Sequence, residues 1–167
     1  MQPLDAKHSD KVEMDRLIKD FFSVFCNQGG ARPCLERIHG MFIKEGLIIK
    51  NAGAVPEINN LQQFISPRER ILTDGTLREF TEEEVSDRTD ICGNIAQRIS
   101  FYRKSGILSG QPFQGRGVKT SQLIRTAEGW KLSSLAWDDE REGFALPGDL
   151  DACSCEAKPD PDPPVKV

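Results

Sequence analysis

The sequence predicts an α+β fold in which a curved antiparallel or mixed β-sheet wraps around N-terminal helices and forms a cone. Three observations carry this expectation. Helical patterns come first and strand patterns last, which is the order of an α+β domain and not the alternation of a parallel α/β one. The first helix carries a wide aromatic stripe, which needs an apolar surface laid over it. The chain then closes on a β-hairpin whose tight turn reads Thr126-Ala127-Glu128-Gly129 and is followed by Trp130.

The elements follow in order. Residues 1–9 are polar and read as a flexible N-terminus, and a helix begins at Asp10 with Glu13 as its capping-box partner. Met14, Leu17, Ile18, Phe21, Phe22 and Phe25 then recur at spacings of three and four, until Asn27-Gln28-Gly29-Gly30 stops the helix. A second, shorter helix has Pro33 in its first turn and turns Leu35, Ile38 and Phe42 inward, with His39 beside them. Residues 46–50 form a β-branched strand. From Ile58 the spacing of Leu61, Phe64 and Ile65 is helical again, and Ser66-Pro67-Arg68-Glu69 starts a fresh turn that runs to Asp74-Gly75.

Beyond Gly75 the texture is β. Residues 77–91 give a polar strand or a pair of short strands, whose run Glu82-Glu83-Glu84 suits a solvated edge. After a turn at Cys92-Gly93-Asn94, the next strand places Ile95, Gln97, Ile99 and Phe101 on one face and Ala96, Arg98, Ser100 and Tyr102 on the other. Residues 105–115, rich in glycine, read as a flexible loop. In the final hairpin a three-residue loop ending in Gly129 sets Thr126 opposite Trp130, Gln122 opposite Ser134 and Thr120 opposite Ala136. On that register Gln97, Gln122, Ser134 and Asp138 form the polar end of the inner face, the candidate ligand pocket. Leu123, Leu135 and Trp137 fall outside with Arg98 and Tyr102, an apolar cluster of the kind that marks a partner surface. A one-residue slip would exchange the two faces.

The bulk numbers exclude several classes. A chain of 167 residues is one domain with short tails, here 10–145 flanked by 1–9 and a Pro- and Asp-rich disordered tail, 146–167. A net charge of −4 argues against a nucleic-acid binder. No apolar run is long enough for a membrane span or a signal peptide, so the expected location is the cytoplasm. Five cysteines without a leader read as reduced thiols, and Cys153 and Cys155 lack the further ligands of a structural metal site. No metal or cofactor is expected.

Taken together, the first helix DKVEMDRLIKDFFSVF, the short helix PCLERIHGMF, the segments ILTDGTLREFTEEE and GNIAQRISFYRKSG, and the ending RTAEGWKLSSLAWDDE resemble the nuclear transport factor 2-like superfamily, in particular its SnoaL-like branch. The resemblance covers about residues 10–141. It implies a cone-shaped domain that hosts isomerases, dehydratases, cyclases and plain binding or assembly modules, and in which sheet-mediated homodimers are common. The active sites of the relatives ketosteroid isomerase and scytalone dehydratase do not transfer residue by residue.

Candidate chemistry therefore has to come from the residues themselves. His39 is the side chain best suited to proton exchange near neutral pH, and Glu84 or Asp87 could serve as a general base if drawn into an apolar pocket. Two readings stand side by side. One is a small-molecule-binding protein, or a cofactor-independent isomerase, dehydratase or cyclase acting on an apolar ligand in the cone. The other is a non-catalytic homodimerising module that uses the outer sheet face.

Overall fold

The structure, a computed structural model, describes residues 4–147. Helix α1 (Leu4–Ser23) is followed by the short α2 (Ile38–Met41), strands β1 (Phe42–Lys50) and β2 (Glu57–Asn60), and helix α3 (Leu61–Thr73). Four long strands complete the chain: β3 (Leu77–Cys92), β4 (Ile95–Leu108), β5 (Gln111–Thr126) and β6 (Gly129–Asp139). They build one six-stranded sheet in the order β2-β1-β6-β5-β4-β3, antiparallel except where β1 runs parallel to β6. The α+β cone expected from the sequence is the fold observed.

The aromatic stripe of α1 is the centre of the core. Met14, Ile18, Phe21, Phe22 and Phe25 are all buried, and Phe21 meets Phe25 edge to face with ring centroids 5.4 Å apart. Each such ring contributes on the order of 1.5–3 kcal/mol by leaving water. The helix starts at Leu4, ahead of Asp10, so Asp10 is an interior helical residue and not a cap. Its carboxylate does different work: it accepts from Trp130 Nε1 (3.1 Å) and Arg125 (2.5 Å), while Glu13 accepts from the Trp130 backbone N–H. Two acids on α1 thus clamp the turn of the β5–β6 hairpin onto the helix. Asn27 makes a second clamp, donating to the carbonyls of Leu72 and Leu77 and accepting from Phe80 N–H, which joins the ends of α1 and α3 to the start of β3.

Several local expectations change. Residues 57–60 pair with β1 as a strand, and α3 starts behind them under a capping box in which Asn60 and Gln63 satisfy each other's backbone N–H. Pro67 therefore sits inside one continuous helix. The expected flexible loop at 105–115 is a tight hairpin: β4 and β5 pair throughout, and Ser109 and Gly110 turn the chain with φ of 49° and 82°. In the chain's last described part, Arg141 bridges to Phe144, and Phe144 and Leu146 pack on Ile99, Phe101 and Val118. The folded chain thus extends to Leu146 on the outer face of the sheet. The rest of the expected tail, with Cys153 and Cys155, lies outside the described residues.

The main correction concerns the two faces of the sheet. The loop of the last hairpin is one residue shorter than expected, so Thr126 pairs with Gly129 and Leu123 with Leu132. A bulge at Ser133 then restores the expected register, Gln122 with Ser134 and Thr120 with Ala136. The bulge lets Trp130 and Leu132 on one side of it, and Leu135 and Trp137 on the other, all turn toward the helices. Leu123, Leu135, Arg98 and Tyr102 are each 1 % exposed, and Trp137 packs against Phe64. These five residues, expected as an outward homodimer patch, lie on the inner face of the sheet, four of them buried and Trp137 half-buried against Phe64.

Candidate functional site

A cavity of about 470 Å³ lies between the concave face of β4–β6 and helices α1 and α3. Its walls are mostly aromatic and aliphatic: Phe21 from α1 and Phe25 from the turn that follows it, Phe64, Ile71 and Leu72 from α3, and Phe80, Phe113, Leu135 and Trp137 from the sheet. Into this apolar space project Arg68, Glu82, Lys104, Lys119 and Asp139, with Lys50 at its lining as well.

Most of these charges are paired. Lys119 Nζ donates to Glu82 Oε1 at 2.6 Å and stands 3.5 Å from the centre of the Tyr102 ring. Burial pushes the Lys119 amine down from its ordinary pKa, and the Glu82 carboxylate pushes it back. Asp139 accepts from Tyr102 OH at 2.6 Å and from Lys104 Nζ at 2.7 Å. Burial alone would raise the Asp139 carboxyl, but these two bonds outweigh it and leave its pKa below the usual range. Burial, reinforced by the bond to Asp139, pushes the Tyr102 phenol far above its ordinary pKa, so it stays protonated and donates. Tyr102 can lie flat here because its in-register partner on β5 is Gly117, where a Cβ would overlap the ring.

Arg68 differs from the others. It sits one turn beyond Phe64 on α3, and its guanidinium lies 3.7 Å from the centre of the Phe64 ring and 5.1 Å from that of Trp137. Burial lowers its pKa to about 10, against the pull of Glu82 and Glu57. Neither acid is within ion-pair distance of it.

The expected catalytic residues are elsewhere. His39 is exposed on α2 with Nε2 3.8 Å from a Glu36 oxygen, and it lines neither this cavity nor the cleft between α1 and β3. Glu84 and Asp87 line a separate cleft of about 440 Å³ between α1 and β3, together with Asp15, Lys19, Phe22 and Arg98. Both are bound to the buried Arg98: Glu84 takes its Nε at 2.9 Å and Nη2 at 2.5 Å, and Asp87 lies 3.1 Å from Nη1. Of the run expected to be solvated, Glu82 and Glu84 are therefore internal ion-pair partners, and only Glu83 is exposed. Gln97, Gln122 and Ser134 do share one row across three strands, as their register requires, but that row and Asp138 face outward. Gln97 and Gln122 are exposed, and Asp138 pairs with Arg141 at 2.5 Å. Among the described residues no cluster of His, Cys, Asp and Glu side chains converges as metal ligands would, and no helix is long and apolar enough to cross a membrane.

Three charged groups that line the cavity escape the sequence reading for a shared reason: Lys104, Lys119 and Asp139 have the same strand parity as Tyr102, Leu123 and Leu135, the set expected on the outer face. Arg68 carried its own signal, an arginine one helical turn after Phe64 on a face with Ile65, Ile71 and Leu72 around it.

This architecture is shared with solved structures of very different sequence. A nuclear transport factor 2-like superfamily protein from Salmonella enterica serovar Typhimurium superposes with a TM-score of 0.67 at 13% identity, over 86% of this chain and 99% of that one. A candidate scytalone dehydratase from Novosphingobium aromaticivorans gives 0.67 at 12% identity, covering 83% of this chain and 89% of its own. A candidate calcium/calmodulin-dependent kinase II association domain from Exiguobacterium sibiricum gives 0.61 at 13%, over 84% and 98%. No family model and no curated protein matches the sequence. The chain has the nuclear transport factor 2-like fold.

Proposed function

We propose that this chain is a small-molecule-binding protein of the SnoaL-like kind, which takes an apolar ligand into the cone between α1, α3 and the concave sheet face. The observation that carries the reading is the cavity itself. About 470 Å³ of space walled by aromatic rings and furnished with a few convergent polar groups is the usual form of a ligand site. An assembly module with a side-chain-filled cone would not leave it. The similarity to a candidate dehydratase supports the same class of ligand site. Asp139 is held ionised by its two donors and burial keeps Tyr102 protonated, so these two act as fixed polar groups of the site.

A thermal-shift screen against small apolar metabolites tests this. A ligand at a hundred times its dissociation constant adds about 2.7 kcal/mol of stability, and quenching of the wall residue Trp137 gives an independent readout. Ile71→Trp, which fills the cavity from α3, is expected to abolish the shift, and His39→Ala to leave it intact. Hits that stabilise Ile71→Trp as much as the parent would place binding elsewhere, and a blank across the panel would remove the reading.

A further inference from the structure

We infer that the cone selects ligands bearing a carboxylate, and that Arg68 is the residue that takes it; this rests on the cone being a binding site. The cavity contains four basic side chains, Lys50, Arg68, Lys104 and Lys119, against two acidic ones, Glu82 and Asp139. Lys104 and Lys119 have those two acids as partners, and Lys50 has Glu57 at 2.9 Å. Arg68 has no ion pair among the described residues. Its one hydrogen bond is a long contact, 3.4 Å, from Nη1 to the Phe64 carbonyl. A guanidinium offers five N–H donors in a planar fork, so most of its donor capacity is open to a ligand.

Its setting prepares it for that task. Contact with the Phe64 ring at 3.7 Å, with Trp137 at 5.1 Å, restricts the guanidinium before a ligand arrives, which spares rotamer entropy. A partly desolvated cation without a counter-ion is an unfavourable arrangement that an incoming anion relieves. The depressed pKa of Arg68, about 10, agrees with that desolvation, and the group is still charged at neutral pH. The remaining walls are aromatic, so the matching ligand is a flat apolar acid whose carboxylate meets the fork and whose ring system lies among Phe25, Phe80 and Trp137.

The experiment compares 2-naphthoate with 2-naphthamide, an acid and an uncharged analogue of the same shape, by calorimetry and Trp137 quenching on the full chain. The acid is expected to bind at least about tenfold tighter, as one charge-assisted bidentate contact supplies. Arg68→Gln should collapse that preference to less than about threefold, chiefly by weakening the acid, and Arg68→Lys should restore part of it. Equal affinity of acid and amide for the parent overturns the carboxylate preference and leaves cone binding standing. A preference that survives Arg68→Gln overturns the assignment to Arg68. Failure of both probes to bind removes the cone-binding reading and this inference with it.

Discussion

Replacing Arg98 by methionine tests which way the sheet faces, because the two orientations predict different magnitudes. On the inner wall, the Arg98 side chain is 1 % exposed and bonds to Glu84 through Nε and Nη2, to Asp15 at 2.6 Å and to Thr89 at 2.9 Å, with Asp87 at 3.1 Å. Methionine keeps much of the aliphatic stem and removes the charge. Lys11 remains on Asp15 and Asp87, but Glu84 loses its guanidinium altogether. Removing one member of a buried ion pair costs about 3–5 kcal/mol, whereas an exposed pair is worth about 0–1 kcal/mol. At roughly 2–4 °C per kcal/mol for a chain of this size, the midpoint should fall by about 6–20 °C. Urea unfolding at pH 7 gives the free energy directly. Glu84→Gln added to Arg98→Met should recover part of the loss, since the two sites are in contact. The difference between parent and variant should also narrow in acid. Burial would raise the Asp15 carboxyl, but bonds from Lys11 and Arg98 bring it below its ordinary pKa. Its contribution is therefore complete above the unfolded-state value and is lost as the pH falls through the folded one. A loss under about 1 kcal/mol at pH 7, or a gap unchanged down to pH 3, would refute the buried cluster.

Two further outcomes follow from the clamps and close approaches in the fold. Gly117→Ala sets a Cβ against the Tyr102 ring and should destabilise by about 1–3 kcal/mol, while Gly115→Ala, which meets only the flexible Lys104 side chain at 3.3 Å, should cost much less; equal costs in chemical denaturation would contradict the Tyr102 placement. Asp10→Asn removes the charge under Arg125 and Trp130; because the Arg125 bond holds the Asp10 carboxyl below its ordinary value of 3.8, the parent's advantage should be complete above an unfolded-state pKa of about 3.9 and fade as the pH drops through the folded one, and an advantage that grows in acid would contradict the pairing.

What could be read from the chain alone was whatever depends on local order. The α1 stripe, the strand-rich C-terminal half and the turns at Gly75, Gly93 and Gly129 are statements about neighbours three or four residues apart, or two, and they are enough for an α+β cone. Beyond Gln122 the expected register of the last hairpin holds only because the bulge at Ser133 offsets the shorter loop. Local order misled where a neutral pattern had two meanings: glycines at 110 and 115 suit a loop, yet Gly110 makes a tight turn and Gly115 lies within paired β-structure.

The site depended on information that no local pattern contains. Alternation says which residues share a face, but a face is inner or outer only once helices lie against one of them, and the bulge at Ser133 changes the parity midway along β6. Arg98 and Lys119 sharpen the difficulty, since charged residues ordinarily mark the solvent side. They are tolerated inside because Glu84, Asp15 and Asp87 come to one, and Glu82 to the other, from strands and helices distant in sequence. The sequence by itself determined the elements and their order; only tertiary structure decided which charges are neutralised and that Arg68 has no counter-ion among the described residues, because ion pairing is a property of distance in space.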